Sequence, residues 1–120
     1  MKYTSLILLV VLSFSACNEK PNVSESLQGR LAAAVAVATP DSRNDLLSKL
    51  AMDAANAKDV QITTKAIESI QNPDLWDKSA DACARVLSKK GDSKGATEVA
   101  RLIRSPNMRE KALASIAQGQ

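Results

Sequence analysis

The fold is decided by a turn that the sequence repeats: TPDSR at residues 39–43, NPDLW at residues 72–76 and SPNMR at residues 105–109. Successive turns stand 33 residues apart. Each places Thr, Asn or Ser directly before a proline, and these side chains accept a hydrogen bond from a free amide at a helix start. Proline suits the first helical position, because the amide hydrogen that it lacks would be unpaired there. The sequence therefore predicts three helices that begin alike, at an interval typical of stacked helical repeats.

Apolar residues follow each turn at the spacing of one helical face, and we name these segments A helices. In the first copy this stripe comprises Leu46, Leu47, Leu50, Ala51, Ala54 and Ala55. One interval later the same positions hold Ser79, Ala80, Cys83, Ala84, Leu87 and Ser88, and the third copy has Ala112, Leu113, Ile116 and Ala117. Each stripe predicts a face that packs against a neighbouring helix.

A second set of segments, which we name B helices, precedes the prolines. Ala66, Ile67 and Ile70 correspond to Val99, Ala100 and Ile103 one interval later and to Ala33, Ala34 and Val37 one interval earlier. The first B helix is expected from about residue 27 to residue 38. Short turns join A to B, with Asp59 and Asp92 as predicted N-caps. Gly91 suits the left-handed conformation that ends a helix.

The expected order is B, A, B, A, B, A over residues 27–120, which makes this region all-α. Helices this short are marginal alone, so packing of their apolar faces must hold them. The pattern resembles the helical hairpins of tetratricopeptide and HEAT-type repeat proteins, and the choice between these families stays open. The resemblance implies a short right-handed α-solenoid of about six helices with a 33-residue repeat. The alternative is a plain helical bundle in which the period is accidental.

The first residues have the composition of an export signal. Lys2 precedes an apolar run at residues 6–12, and residues 13–17 read Ser-Phe-Ser-Ala-Cys. The run is too short to span a bilayer, and the order of charged, apolar and small residues is typical of a secretory signal. At Cys17 the segment resembles the signal peptide of bacterial lipoproteins. This implies cleavage before Cys17, a diacylglycerol on its sulfur and an acyl chain such as palmitate on its amino group. The alternative is an ordinary secretory signal with Cys17 as an unmodified thiol.

The lipoprotein resemblance divides the chain into a helical signal peptide at residues 1–16, the lipidated Cys17 with a polar tether at residues 17–26, and a helical-repeat domain at residues 27–120. Two or three lipid chains make a lasting anchor. The expected location is therefore the bacterial cell envelope. Asn18 follows the cysteine where an aspartate tends to retain lipoproteins in the inner membrane of Gram-negative bacteria, so the outer membrane is favoured.

The composition argues against several kinds of chemistry. The chain has no His, the commonest general base and zinc ligand, so neither a metal nor another cofactor is expected. A net charge of +3 and one aromatic residue beyond the leader, Trp76, provide no stacking platform, and no nucleic acid is expected. Asp74, Asp77 and Asp81 have the spacing of acid–base pairs. Such acids more often form a solvated face, so we expect no enzymatic activity.

Five residues are candidate contacts for a partner. Arg43, Trp76 and Arg109 occupy the same position in the first turns of the A helices, and Arg101 with Arg104 adds a basic edge. Trp and Arg dominate the energetics of protein interfaces. The alternatives are a Trp76 that covers the adjacent turn as a lid on the core, and arginines that are solvated.

These features favour a membrane-anchored lipoprotein that acts as a non-enzymatic interaction module or adaptor for a protein or peptide. The alternatives are an envelope enzyme or enzyme inhibitor that uses a surface carboxylate or arginine cluster, and a passive structural spacer. The last A helix keeps Leu113 and Ile116 without a following B helix. Either it caps the array, or its outer side meets another protein or a second copy, as in a homodimer through this C-terminal helix. Cys83 is predicted to be a small buried thiol, with a disulfide-linked dimer as the alternative.

Overall fold

A computed structural model describes residues 23–119. These residues form six α-helices: α1 (Val23–Val35), α2 (Pro40–Asn56), α3 (Val60–Glu68), α4 (Pro73–Lys89), α5 (Ser93–Ala100) and α6 (Pro106–Ala117). The all-α prediction is confirmed for this part of the chain. The predicted signal peptide, Cys17 and the start of the predicted tether lie outside the described residues. The first helix, α1, begins within the segment predicted as tether and ends before residue 38, where the first B helix was expected to end.

The helices form two layers of three. The predicted A helices α2, α4 and α6 pack side by side in that order, and the predicted B helices α1, α3 and α5 do the same. Helices adjacent in the sequence pack across the two layers. Within residues 23–119, α2 does not touch α6 and α1 does not touch α5. Each helix therefore contacts its neighbours along the chain and the flanking helices of its own layer.

The three prolines begin helices with one backbone geometry. The N-cap residues Thr39, Asn72 and Ser105 have φ angles of −75°, −81° and −68° and a common ψ of 117°. The carbonyl of each accepts a hydrogen bond of 2.9 Å from the amide four residues ahead. The predicted side-chain cap is confirmed for Asn72, which accepts the Leu75 amide at 3.1 Å. It is wrong for Thr39 and Ser105. The proline presets the helical φ and removes one unpaired amide, so these starts form without the extra bond.

The turns after α2 and α4 are both left-handed. Lys58 and Gly91 follow the two helices at equivalent positions and have φ angles of 59° and 84°. The next amides, of Asp59 and Asp92, donate to the carbonyls of residues 54 and 87 at 2.8 and 2.9 Å. These bonds close the helix ends as in a Schellman motif. The left-handed conformation predicted for Gly91 is confirmed, and Lys58 adopts it as well, without the conformational freedom of glycine.

The starts of α3 and α5 are capped in the same way. Asp59 accepts the Ile62 amide at 3.1 Å, and Asp92 accepts the Gly95 amide at 2.9 Å, so both predicted caps are confirmed. Gly95 also lies against the neighbouring helix: a Cβ there would be 2.6 Å from Cγ2 of Val60 and would meet the Asp92 side chain. The two helices therefore approach closely at this glycine.

The core between the layers is aliphatic. Its largest fully buried apolar side chains are Leu47, Leu50, Ile62, Ile67, Leu87, Ile103 and Val99. Cys83 is 1% exposed, and burial raises the pKa of its thiol to about 12. The predicted buried thiol is confirmed. A disulfide between two chains would require this sulfur to become accessible.

Three residues of the predicted apolar stripes are exposed, and Val37, Ser88, Leu113 and Ile116 are only half-buried. Leu46 is 44% exposed, and Ala33 and Ala117 are also exposed. Their predicted place in the core is wrong, because they belong to the first and last helices of the two layers. There the described chain supplies a neighbouring helix on one side only.

Candidate binding surface

The candidate partner-binding residues lie along one edge of the molecule. We name this the loop edge; it comprises the loops before α2, α4 and α6 and the first turns of those helices. Arg43, Trp76 and Arg109 lie in the three first turns, and Arg104 lies in the loop before α6. Arg101 is the C-cap residue of α5, at the start of that loop. The fold thus places these five residues along the same edge.

The two arginines of the first turns bind the loop that precedes their own helix. Arg43 Nη1 donates to the Val37 carbonyl at 3.1 Å, and Arg109 Nη1 donates to the Ile103 carbonyl at 3.0 Å. Arg43 also reaches the next loop, where Nη2 donates to Oε1 of Gln71 at 2.8 Å. Both arginines are half-buried. These guanidinium groups therefore fix loops in place, and only their remaining donors can meet a partner.

Trp76 also engages the loop of the following hairpin. Its Nε1 donates to the Leu102 carbonyl at 2.7 Å, and the Arg104 guanidinium carbon lies 3.8 Å from the ring centroid. A cation over an indole face at an exposed site contributes about 0.5–1 kcal/mol. The positions of Trp76 and Arg104 correspond to those of Arg43 and Gln71. The indole packs against the core, as in the lid alternative, and its N–H is already used within the chain.

One polar side chain in each of α2 and α4 reaches forward to cap the next loop. Asn44 Oδ1 accepts the Gln71 amide at 3.1 Å. Its counterpart Asp77 accepts the Arg104 amide through Oδ1 at 2.7 Å and the Ser105 amide through Oδ2 at 3.2 Å. Sequence reasoning missed these contacts, because nothing in the local pattern indicates an acceptor for an amide 27 or 28 residues away.

Of the three carboxylates with acid–base spacing, Asp77 and Asp81 have structural partners. Both oxygens of Asp77 accept loop amides, as described above. Asp81 forms an ion pair with Arg85, with Nε and Oδ2 3.2 Å apart. Asp74 is exposed in the first turn of α4, where the helix dipole favours an acid. The geometry therefore favours structural roles for Asp77 and Asp81 and a solvated one for Asp74.

A groove that the sequence did not indicate lies between α2 and α4. Its volume is about 270 Å³, and its lining is mainly apolar. The lining residues are Ser48, Lys49, Met52, Leu75, Lys78, Ser79, Ala82 and Cys83. Ser48 and Ser79 share a hydrogen bond of 2.8 Å between their hydroxyl oxygens across the groove. Met52 and Leu75 fall outside the predicted stripes, so only the relative placement of the two helices reveals the groove.

The two lysines of this groove are exposed and have no acidic partner within residues 23–119. Lys49 comes from α2 and Lys78 from α4, so positive charge is supplied from both sides of an apolar surface. The corresponding depression between α4 and α6 is lined by Asp81, Arg85 and Lys111 and is more polar. The α2–α4 groove is therefore suited to an apolar group accompanied by negative charge.

Other kinds of site find no support in the described part of the chain. Residues 23–119 contain no group of three or more Cys, Asp or Glu side chains placed to hold a metal ion. No helix among them has the length and apolarity needed to cross a bilayer. Comparison with protein-family models, curated proteins and solved structures gives no match to this chain.

Proposed function

We propose that this chain is a lipid-anchored, non-enzymatic interaction module of the bacterial cell envelope that binds a segment of a partner protein in the α2–α4 groove. The observation that carries the proposal is the apolar groove with two lysines that have no acidic partner among residues 23–119. Its volume of about 270 Å³ is slightly below the ~300–1,000 Å³ typical of small-molecule pockets. It suits an apolar anchor side chain from a partner, while Lys49 and Lys78 suit flanking Asp or Glu residues.

We further infer that the two layers are a short right-handed α-solenoid with a 33-residue repeat, of tetratricopeptide or HEAT type. The common geometry at Thr39, Asn72 and Ser105 supports this. So do the paired left-handed turns at Lys58 and Gly91 and the packing of each helix on near neighbours only. In such arrays each repeat contacts only its neighbours, and the stacked helices provide an extended surface for a polypeptide.

We assign membrane attachment to lipid on Cys17, because residues 1–17 resemble a lipoprotein signal peptide. The outer membrane is the favoured site in a Gram-negative host. Fatty-acid labelling of the full chain in a bacterial host tests this assignment. Label is expected on the wild-type chain and not on Cys17→Ser. Equal label on both chains would remove the anchor from the proposal.

Photocrosslinking in the native envelope tests the groove. A photoreactive residue at Met52, inside the groove, is expected to capture one partner polypeptide, whereas the same residue at the exposed Gln61 on α3 captures little. Identification of the captured peptide should show an apolar residue flanked by acids.

Charge reversal tests the role of the two groove lysines against a matched control pair. The double change Lys49→Glu and Lys78→Glu is expected to lower capture from Met52 by about tenfold or more, because both rim charges become repulsive. The double change Lys65→Glu and Lys94→Glu alters the net charge equally on exposed B-helix positions and should leave capture intact. Equal effects of the two pairs, or no effect of either, would contradict the proposed groove.

A further inference from the structure

The first hairpin leaves uncovered a surface that the later hairpins bury. Leu46, Ser79 and Ala112 occupy equivalent positions on the A helices. Ser79 is 6% exposed and Ala112 is 2% exposed, because the preceding A helix covers each of them. Leu46 is 44% exposed, since no described helix precedes α2 in its layer.

Around Leu46 lies a groove between α1 and α2. It has a volume of about 250 Å³ and is lined by Ala33, Ala34, Val37, Leu46 and Leu50, with Arg30 at its rim. Ala34 and Leu50 are buried like their counterparts in the second hairpin, but Ala33 is exposed and Val37 half-buried, where Ala66 and Ile70 are buried in the core. The groove thus corresponds to a surface that, in the second hairpin, is covered by neighbouring helices.

Two backbone amides beside this groove also lack the partners that their counterparts have. The amides of Ala38 and Thr39 make no hydrogen bond within residues 23–119. Three of their four counterparts in the later loops, the amides of Gln71, Arg104 and Ser105, donate to side chains of the preceding A helix, whereas the fourth, of Asn72, makes no hydrogen bond within residues 23–119. The loop before α2 therefore has two backbone amides, of Ala38 and Thr39, without an acceptor among residues 23–119.

The last helix presents the missing acceptor. Glu110 on α6 is the counterpart of Asn44 on α2 and Asp77 on α4, whose side chains cap the next loop. Glu110 is exposed and has no hydrogen bond or ion pair within the described residues. The exposed Ala114 is the counterpart of Ser48, which contacts α4. One end of the molecule therefore carries the acceptor side of the contact, and the other end carries the donor side.

We infer that copies of this chain associate head to tail. In this contact α6 of one copy covers the groove at Leu46 of the next copy, and the Glu110 carboxylate accepts the Ala38 and Thr39 amides. A second copy is the occupant because the two ends carry both halves of a contact that the chain makes internally between successive hairpins. Such a contact is heterologous, and because it continues the stacking of hairpins from one copy into the next, we expect chains whose length grows with concentration. A symmetric homodimer through α6 would instead pair two like surfaces. This inference is independent of the proposed α2–α4 groove function.

Sedimentation velocity of the full chain in mild detergent tests the inference with two exposed-residue variants. Leu46→Asp damages the groove end, and Glu110→Lys damages the acceptor end. Each alone is expected to weaken self-association by about tenfold or more, because one half of every contact is lost. Circular dichroism checks that both variants keep the wild-type helix content.

Mixing the two variants distinguishes this geometry from a symmetric dimer. The intact acceptor end of Leu46→Asp meets the intact groove end of Glu110→Lys, so the mixture should form a heterodimer that grows no further. A wild-type chain that stays monomeric up to ~1 mM would overturn the inference. Undiminished association of either variant would also overturn it. The association would then come from residues that both variants keep, such as residues 1–22.

Discussion

The left-handed turns after α2 and α4 can be compared by two reciprocal substitutions, Lys58→Gly and Gly91→Lys. Lys58 has φ 59° and Gly91 has φ 84° at equivalent positions. The left-handed conformation costs an L-residue about 1 kcal/mol relative to glycine. Lys58 is exposed and forms no ion pair in the described part of the chain. Lys58→Gly should therefore raise the free energy of unfolding by about 1 kcal/mol, through the backbone alone.

Gly91→Lys is the matched reverse change. A Cβ at residue 91 would meet no atom within 4 Å, so the new side chain enters open space and only the backbone is strained. The expected loss is about 1 kcal/mol, equal in size and opposite in sign to the gain at residue 58. The double variant should return to within ~0.5 kcal/mol of wild type, because the sites share no partner.

Urea denaturation followed by far-ultraviolet circular dichroism measures these differences, and thermal midpoints should move by about 4–8 °C per kcal/mol for a domain of this size. The m-value should stay constant, since the exposed surface does not change. A destabilising Lys58→Gly, or a Gly91→Lys without effect, would refute the equivalence of the two turns.

Three further perturbations test the packing between hairpins. Asp77→Ala should lower the free energy of unfolding by about 1–3 kcal/mol in the same urea assay, because two loop amides lose a charged acceptor. Glu110→Ala is the control, because Glu110 has the equivalent position but no partner within residues 23–119. Its free energy of unfolding should stay within ~0.5 kcal/mol of wild type. Gly95→Ala should cost about 1–3 kcal/mol by forcing α5 away from Val60, and a neutral result would contradict the close approach. Burial raises the pKa of the Cys83 thiol from 9.0 to about 12, so the unfolded chain loses the proton first. Stability should fall as pH rises through that range, and Cys83→Ala should lack this component; identical pH slopes would contradict it.

The helix starts and caps were predictable because their causes are local. A proline after Thr39, Asn72 or Ser105 presets its own backbone, and Asp59 and Asp92 bind amides three residues ahead. The side-chain bonds expected at Thr39 and Ser105 are absent, although Asn72 forms one before the same proline. Local chemistry thus predicted where helices begin better than it predicted which atoms pair.

The contacts between hairpins could not be read from local pattern. Asp77 binds amides 27 and 28 residues away, and Met52 and Leu75 line one groove only after α2 and α4 are placed side by side. Leu46 matches the stripe but is exposed, because periodicity does not show where a layer ends. Lys58 was not expected in a left-handed turn, since sequence rules look for glycine there. The candidate groove and the uncovered ends both belong to this long-range part of the structure.

The claim on which the fold and both proposals depend is that a 33-residue unit stacks on copies of itself. Duplicating residues 72–104 in tandem tests it, because this unit has one face that packs on a preceding unit and another that packs on a following unit. The lengthened chain should unfold in one cooperative urea transition, with an m-value larger by roughly a third and added helix in proportion to the insertion. An unchanged m-value with an unstructured insertion, or a chain that no longer folds, would show that the spacing of the prolines is accidental.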